Sequence, residues 1–472
     1  MTGSSNARRL RAPVAPANDG QLGMSAATIK AGSSSRGTAP ADAFIRAFDR
    51  IADEVFGGDP AWLRALRGGG IAHYSELGFP TPRHEDWRFT NLAPIRDAAL
   101  EPADAAGRAT GADVRAARVP GIGSNVLVFV DGFYSPGLSI RSAVPGLRVD
   151  RLPVAATGGD GLVRAHLGRV AGPDAHPLVA LKSAFWRDGA LIVFEAGRKV
   201  DEPVHLIFLS TVARAVAPRV LVVGERGSEG SVVESFHGAG DAGAWTNAVT
   251  EVSVDDSARV EHTKILLENE SSFHTATIQS RLGRDAYFTS HSISLGGLIA
   301  RNDINTVLAG QNSTSDLNGL YICRGSQLCD HHTIVDHAKA NCASHEFYHG
   351  ILDERSRGVF NGKIFVRRDA QKTDAKQTNR GLLLSDAALI DTKPQLEIFA
   401  DDVKCTHGAT VGRLDREALY YLKARGVNPT EAGRMLTHAF AGEIINKIAF
   451  GPLREHIDRF IFEYLDGMPA LR

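Results

Sequence analysis

Cysteine is scarce in this chain. Four residues, Cys323, Cys329, Cys342 and Cys405, serve a length of 472. Four cannot staple a chain this long, and their use suits a reducing compartment, so a cytoplasmic protein is expected. A surplus of charge is also lacking. Lys and Arg number 53 against 54 Asp and Glu, a net charge of −1. A general nucleic-acid binder needs a basic excess to neutralise many phosphates, and none exists here. Long apolar runs are missing. The longest, such as Val126–Val130 and Ala190–Phe194, fall far short of the roughly 20 residues of a membrane span and read as buried strands. The Gly-rich stretch 224–230 lacks the Lys-Ser/Thr of a phosphate-binding loop. No Gly-x-Ser-x-Gly elbow occurs, and the His-Glu-x-x-His order at His345–His349 lies in the β-patterned stretch, not on a zinc-binding helix.

What is present is an ordinary globular composition, 43% apolar and 23% charged, enough to bury a large core in two to four domains. Glycine is the outlier at 48 residues, a sign of many turns. Residues 1–39 form a basic tail with Arg8, Arg9, Arg11, Lys30 and Arg36 against a single Asp19. Its Ala, Gly, Ser and Pro cannot build a core, so disorder is expected. It reads as a flexible tail, as an upstream start before Met24, or as a targeting segment.

Residues 40–185 are expected to be mostly helical. Phe44, Phe48, Ile51 and Val55 form an amphipathic stripe. Asp59 is the expected cap of a next helix with Pro60 in its first turn and Trp62, Leu63, Leu66, Tyr74 and Leu77 along it. From 186 to 412 the texture changes. Short alternating runs such as Val204–Leu209, Val232–Phe236 and Val260–Leu267 recur every 10–13 residues, the rhythm of an all-β region. After 412 helices return: 413–472 holds Asp415–Ala424, a helix capped by Asn428-Pro429, and a last one from Gly451-Pro452.

One recurrence favours a solenoid over a sandwich or barrel. Ser/Thr-His pairs stand at Ser290-His291, Ser344-His345 and Thr406-His407. Their separations, halved, give about 27 and 31 residues, a plausible coil of a parallel β-helix. Ser315-Asp316 and Ala375-Lys376 sit near the midpoints.

Histidine and cysteine carry the candidate chemistry. Of 17 His, eight lie between His262 and His349 (His262, His274, His291, His331, His332, His337, His345 and His349), and Cys323, Cys329 and Cys342 share that stretch. This is either a metal site or ordinary buried thiols with polar His, and no standard ligand spacing is present. Cys405-Thr406-His407 is sharper. On a strand, Cys405 and His407 point to one face. A thiolate and an imidazole side by side can ligate iron or zinc, or form a reactive pair. Two ligands do not complete a site, so a metal reading implies that another chain supplies the rest; the alternative is a buried Cys near an exposed His.

These residues resemble the SufB/SufD family, the iron–sulfur cluster assembly proteins of the SUF system. The resemblance is carried by Val359–Val366, Ala370–Asn379, Leu382–Ser385, Leu396–Ile398, Ala400–Thr410 and Tyr420–Gly426. Pro82–Thr90 and Val128–Gly132 are most similar to the SufD branch, as is the Cys-Thr-His-Gly-Ala-Thr order around Cys405. The resemblance implies a mainly β fold: a right-handed parallel β-helix flanked by helical N-terminal and C-terminal domains. It implies a non-catalytic scaffold that pairs with SufB through the β-helix and with the ATPase SufC through the C-terminal helices, while sulfur-donor proteins act indirectly. Cys405 and His407 would contribute to a transient cluster or iron site shared with SufB. Reduced flavin, linked to some SUF complexes, is not derivable from the chain. The rival reading is a metal-dependent carbohydrate-active enzyme on a β-solenoid, which would need carboxylates clustered on successive coils; Asp255-Asp256 and Asp401-Asp402 instead sit in expected turns.

Overall fold

The computed structural model describes residues 43–468 apart from 241 and 242. The basic tail expected over 1–39 lies outside the described residues. The chain forms a parallel β-solenoid with helices before and after it. Eight coils each give one strand to each of two sheets. Coil 1 pairs Gly189–Phe194 in sheet 1 with Val204–Ser210 in sheet 2; coil 8 pairs Leu389–Ile398 with Val403–Gly412. The coil length drifts. Phe273 stacks on Ile299, 26 residues on, and Arg357 on Leu389, 32 residues on.

The recurrence read from the sequence has the right period and the wrong register. Ser315 and Ala375 are rung neighbours of Ser344, on either side of it. Yet Cys405, not Thr406, falls in the row of Ser344. One residue of slip moves a side chain to the opposite face, so His345 and His407 face opposite ways.

Alternation builds the core. Along Glu229–Gly238, Val232 and Phe236 face inward while Val233 joins the outer core beneath the C-terminal helices. Phe129, Phe208 and Phe236 stack on successive rungs at 5.0 and 4.7 Å. Each such pair adds about 0.5–1.5 kcal/mol beyond its buried area. Phe129 belongs to Asn125–Val130, which pairs in parallel with Val204–Ser210, and Leu147–Arg151 pairs antiparallel with Gly189–Phe194. The sheets therefore draw strands from the N-terminal side of residue 186.

The coil corners do not run on glycine alone. The corner before each strand of sheet 2 from coil 2 to coil 7 needs a left-handed backbone. Gly227 supplies it once; Ser257, Asp285, Asn312, Asn341 and Lys372 adopt it with φ near +60°. Asp and Asn tolerate this region through local hydrogen bonds. Several glycines serve packing instead: a Cβ on Gly319 would lie 2.2 Å from the Tyr348 ring.

The main helices are α1 (Ala43–Phe56), α2 (Ala61–Leu77), α3 (Gly111–Ala117), α4 (Pro177–Phe185), α5 (Arg416–Ala424), α6 (Pro429–Ile445) and α7 (Gly451–Asp466). Asp59 does not cap α2. Pro60 holds the cap position, and the Asp59 carboxylate accepts from Arg67 Nε at 2.6 Å. The buried guanidinium needs that anion more than the helix end does. Asp415 and Asn428 do cap α5 and α6. Helix α4, buried along its whole length, is tied to sheet 1 by Arg219, which donates to Ser183 at 3.1 Å and to Glu251 at 2.6 Å. Helices α6 and α7 pack Ile444, Ile445, Leu453, Ile457 and Ile461 onto the outer face of sheet 2. No described helix is long and apolar enough to cross a membrane.

Gly319→Ala should lower stability by about 1–3 kcal/mol through overpacking against Tyr348. Chemical denaturation measures it, and Gly408→Ala, with open space at its Cβ, should change far less.

Candidate metal site

Cys405 and His407 lie on Val403–Gly412, the last strand of sheet 2. This strand bonds on one side only, to Thr373–Leu383. Two residues apart, they share a side of the strand. That side is the solenoid interior: Cys405 packs with Ile364, Val366, Ala375 and Ala400. Among the described residues nothing stacks beyond the last rung; Cys405 is half-buried and His407 exposed. Burial pushes the Cys405 thiol above its usual value, and the Asp374 carboxylate adds to this against the Ala375 backbone hydrogen bond. The thiol is protonated at neutral pH and must lose its proton to act as a ligand. Among the described residues no group of three His, Cys, Asp or Glu is placed to hold a metal ion.

The row beneath His407 carries a group that sequence reading missed. His407 stands over Gln377, and Gln377 over Glu346. Glu346 is buried and accepts from the Thr333 hydroxyl and from Gln377 Nε2 at 3.1 Å. Burial outweighs both bonds and pushes its carboxyl up to about 7. The available signal was an acid at an inward position of the alternating run Ser344-His-Glu-Phe-Tyr348.

The His/Cys-rich stretch brings Cys329 to 3.9 Å from His331 and against Cys323, scatters the rest, and places no metal-holding group among the described residues. Cys323, Cys329 and Cys342 are in the solenoid core, where burial pushes the thiols of Cys329 and Cys342 up. His274 sits 3.1 Å from Glu268, His291 3.3 Å from Glu261, His332 3.2 Å from Asp330 and His345 2.8 Å from Asp316. His331 lies between the rings of Tyr321 and Tyr348. A coil of nearly thirty residues with alternating faces spreads neighbours in sequence over different sides and rungs. Asp255-Asp256 and Asp401-Asp402 occupy coil corners, away from any carboxylate cluster of the kind a glycosidase needs.

The Pro82–Thr90 motif is a clamp. The Arg301 guanidinium lies 3.6 Å over the Trp87 ring and donates to Asp303 at 2.8 Å, Asp330 at 3.1 Å and the Asp86 carbonyl at 2.6 Å. The Thr90 hydroxyl also donates to Asp330. The motif fastens the N-terminal region to sheet 1.

Residues 39–206 match the SufBD protein N-terminal region, and residues 207–440 match the SUF system FeS cluster assembly SufBD core domain. The chain belongs to the SufB/SufD family. It is 35% identical to the iron–sulfur cluster assembly protein SufD of Escherichia coli, over 83% of this chain and 90% of that one. A SufBD family protein of Synechocystis is 31% identical over 85% and 90%, and SufD of Bacillus subtilis 27% over 84% and 93%. The chain is a SufD homologue of the SUF iron–sulfur assembly system. Much of what carried the family resemblance in the sequence lies in coils 7 and 8 and in the Trp87 clamp.

In the folded chain iodoacetamide should label Cys405 and spare Cys323, Cys329 and Cys342, as peptide mass mapping can show. Asp374→Asn removes a nearby anion, so the pH midpoint of Cys405 alkylation should fall. Glu346 favours folding below its unfolded value of 4.5 and loses that contribution as pH rises through about 7. Glu346→Gln should therefore raise the thermal midpoint at pH 8 and not at pH 4.5.

Proposed function

We propose that this protein is the SufD-type subunit of a SufB–SufC–SufD complex, a non-catalytic scaffold for de novo iron–sulfur cluster assembly in the cytoplasm. The observation that carries this reading is the half-exposed Cys405/His407 pair, two ligands without a third, on a rung with an open edge. A SufB subunit docked on coil 8 would complete the ligand set. Leu389, Ile398, Phe399 and Val411 are exposed around that end, which suits burial against a protein partner. Iron or a nascent cluster is the cargo. Cys405 would bind it as thiolate and His407 as neutral imidazole, with proton release from the thiol.

Helix α5 supports the second partnership. It buries none of its residues in this chain, and Tyr420 and Tyr421 are exposed. SufC would bind the C-terminal helices and hold the ATPase activity, and its ATP-driven closure would shift the two scaffold subunits toward an open site. Sulfur donors would act on the assembled complex.

The test is a reconstituted complex carrying Cys405→Ala or His407→Ala. Each variant should assemble with SufB and SufC and lose most of its bound iron and acid-labile sulfide. Full cluster yield from both variants in an intact complex would refute the site assignment.

A further inference from the structure

The face that joins the C-terminal helices to the solenoid is largely apolar and carries a run of histidines. His205, His237, His291 and His349 all lie on the outer face of sheet 2, and His456 faces it from α7. Among the described residues, all four sheet histidines hold a buried ring nitrogen with no hydrogen-bond partner, and His291 holds two. The Ser235 hydroxyl lies 2.8 Å from His205 Nε2, leaving Nδ1 unpaired. His349 Nδ1 donates to the Phe440 carbonyl of α6 at 2.9 Å, under a Phe440 ring stacked at 4.2 Å, leaving Nε2 unpaired. His237 Nε2 is unpaired as well, and His237 shares a small cavity with His456, Ile457 and Phe460 of α7.

We propose that this seam is a proton-operated latch: neutral imidazoles let α6 and α7 sit on the solenoid, and protonated ones lift them from it. A second proton on the unpaired nitrogen of His205, His237 or His349 would place a charged N–H in a buried layer with no hydrogen-bond acceptor for it, a cost that opening the seam relieves. The surrounding charges do not compensate. His205 faces His237, His456 and Arg118, which follows α3. His237 faces the Glu268 carboxylate and His456. His456 has Arg459 and Glu463 on its own helix. His349 has Glu443 from α6, Lys447 from the turn after it and Arg380 from sheet 2. His291 differs: the Glu261 carboxylate beside it also accepts from the Ala449 backbone between α6 and α7, at 3.2 Å. Burial holds His205 at about 3 and His237 at about 4. A lowered imidazole favours the closed seam above its free value of 6.5 and ceases to as pH falls below it. The latch concerns the chain's own helices and stands whether or not Cys405 and His407 bind iron.

Hydrogen exchange of the full chain, corrected for intrinsic rates, reads the latch directly. Between pH 7.5 and 5.5 each freed imidazole makes opening about tenfold easier. Protection of α7 should therefore fall about a hundredfold from His205 and His237 alone, while the strand Arg357–Val366 holds its protection. His237→Gln should cut that fall about tenfold, and His349→Gln should reduce the fall measured in α6. Helix protection that is flat with pH, or that falls as steeply in both variants as in the parent chain, overturns the proposal.

Discussion

The parallel rung register governs this protein. Each coil returns to hydrogen-bond the one before it, residue against residue, so every position belongs to a row that runs along the solenoid. A row of aromatic rings becomes a stack, as with Phe129, Phe208 and Phe236. A buried polar row draws hydrogen bonds from its rung neighbour and from the facing sheet, as Glu346 does from Gln377 and Thr333. The outer rows of sheet 2 form a long apolar strip that needs a cover, and α6 and α7 provide it.

A stack has two ends, and this chain treats them differently. The N-terminal end is continued by Asn125–Val130 and Leu147–Arg151, and the nearby helices are fixed by the Arg219–Glu251 pair and the Trp87 clamp. The C-terminal end stops on two strands whose far edges bond to nothing among the described residues. Open edges are a liability that single-chain folds blunt. Leaving them bare, with exposed apolar residues around them, is coherent with the proposed docking of a second subunit.

Much of the architecture was legible because alternation is a local property. The strands of coils 1 to 3 and the helices around Phe44 and Asn428 follow from spacing and capping chemistry. The Ser/Thr-His recurrence carried the coil length but not the register, since coils of 26 to 32 residues slip faces whenever their length changes by one. The Asp59 cap failed because a distant arginine competed for the carboxylate. The excess of glycine points to many turns, yet polar residues fill most left-handed corners of sheet 2 and Gly319 makes room for a tyrosine.

For the site, sequence alone determined that Cys405 and His407 share one side of a strand, because that depends only on a two-residue repeat. It also placed the family, because long motifs survive in the chain. Only the tertiary structure decided that this side is the solenoid interior, that the strand is the last rung, and that Gln377 and Glu346 stand beneath the pair. Those facts depend on which residues some thirty and sixty positions away return to the same row. That return is set by the summed lengths of whole coils, which no local pattern records.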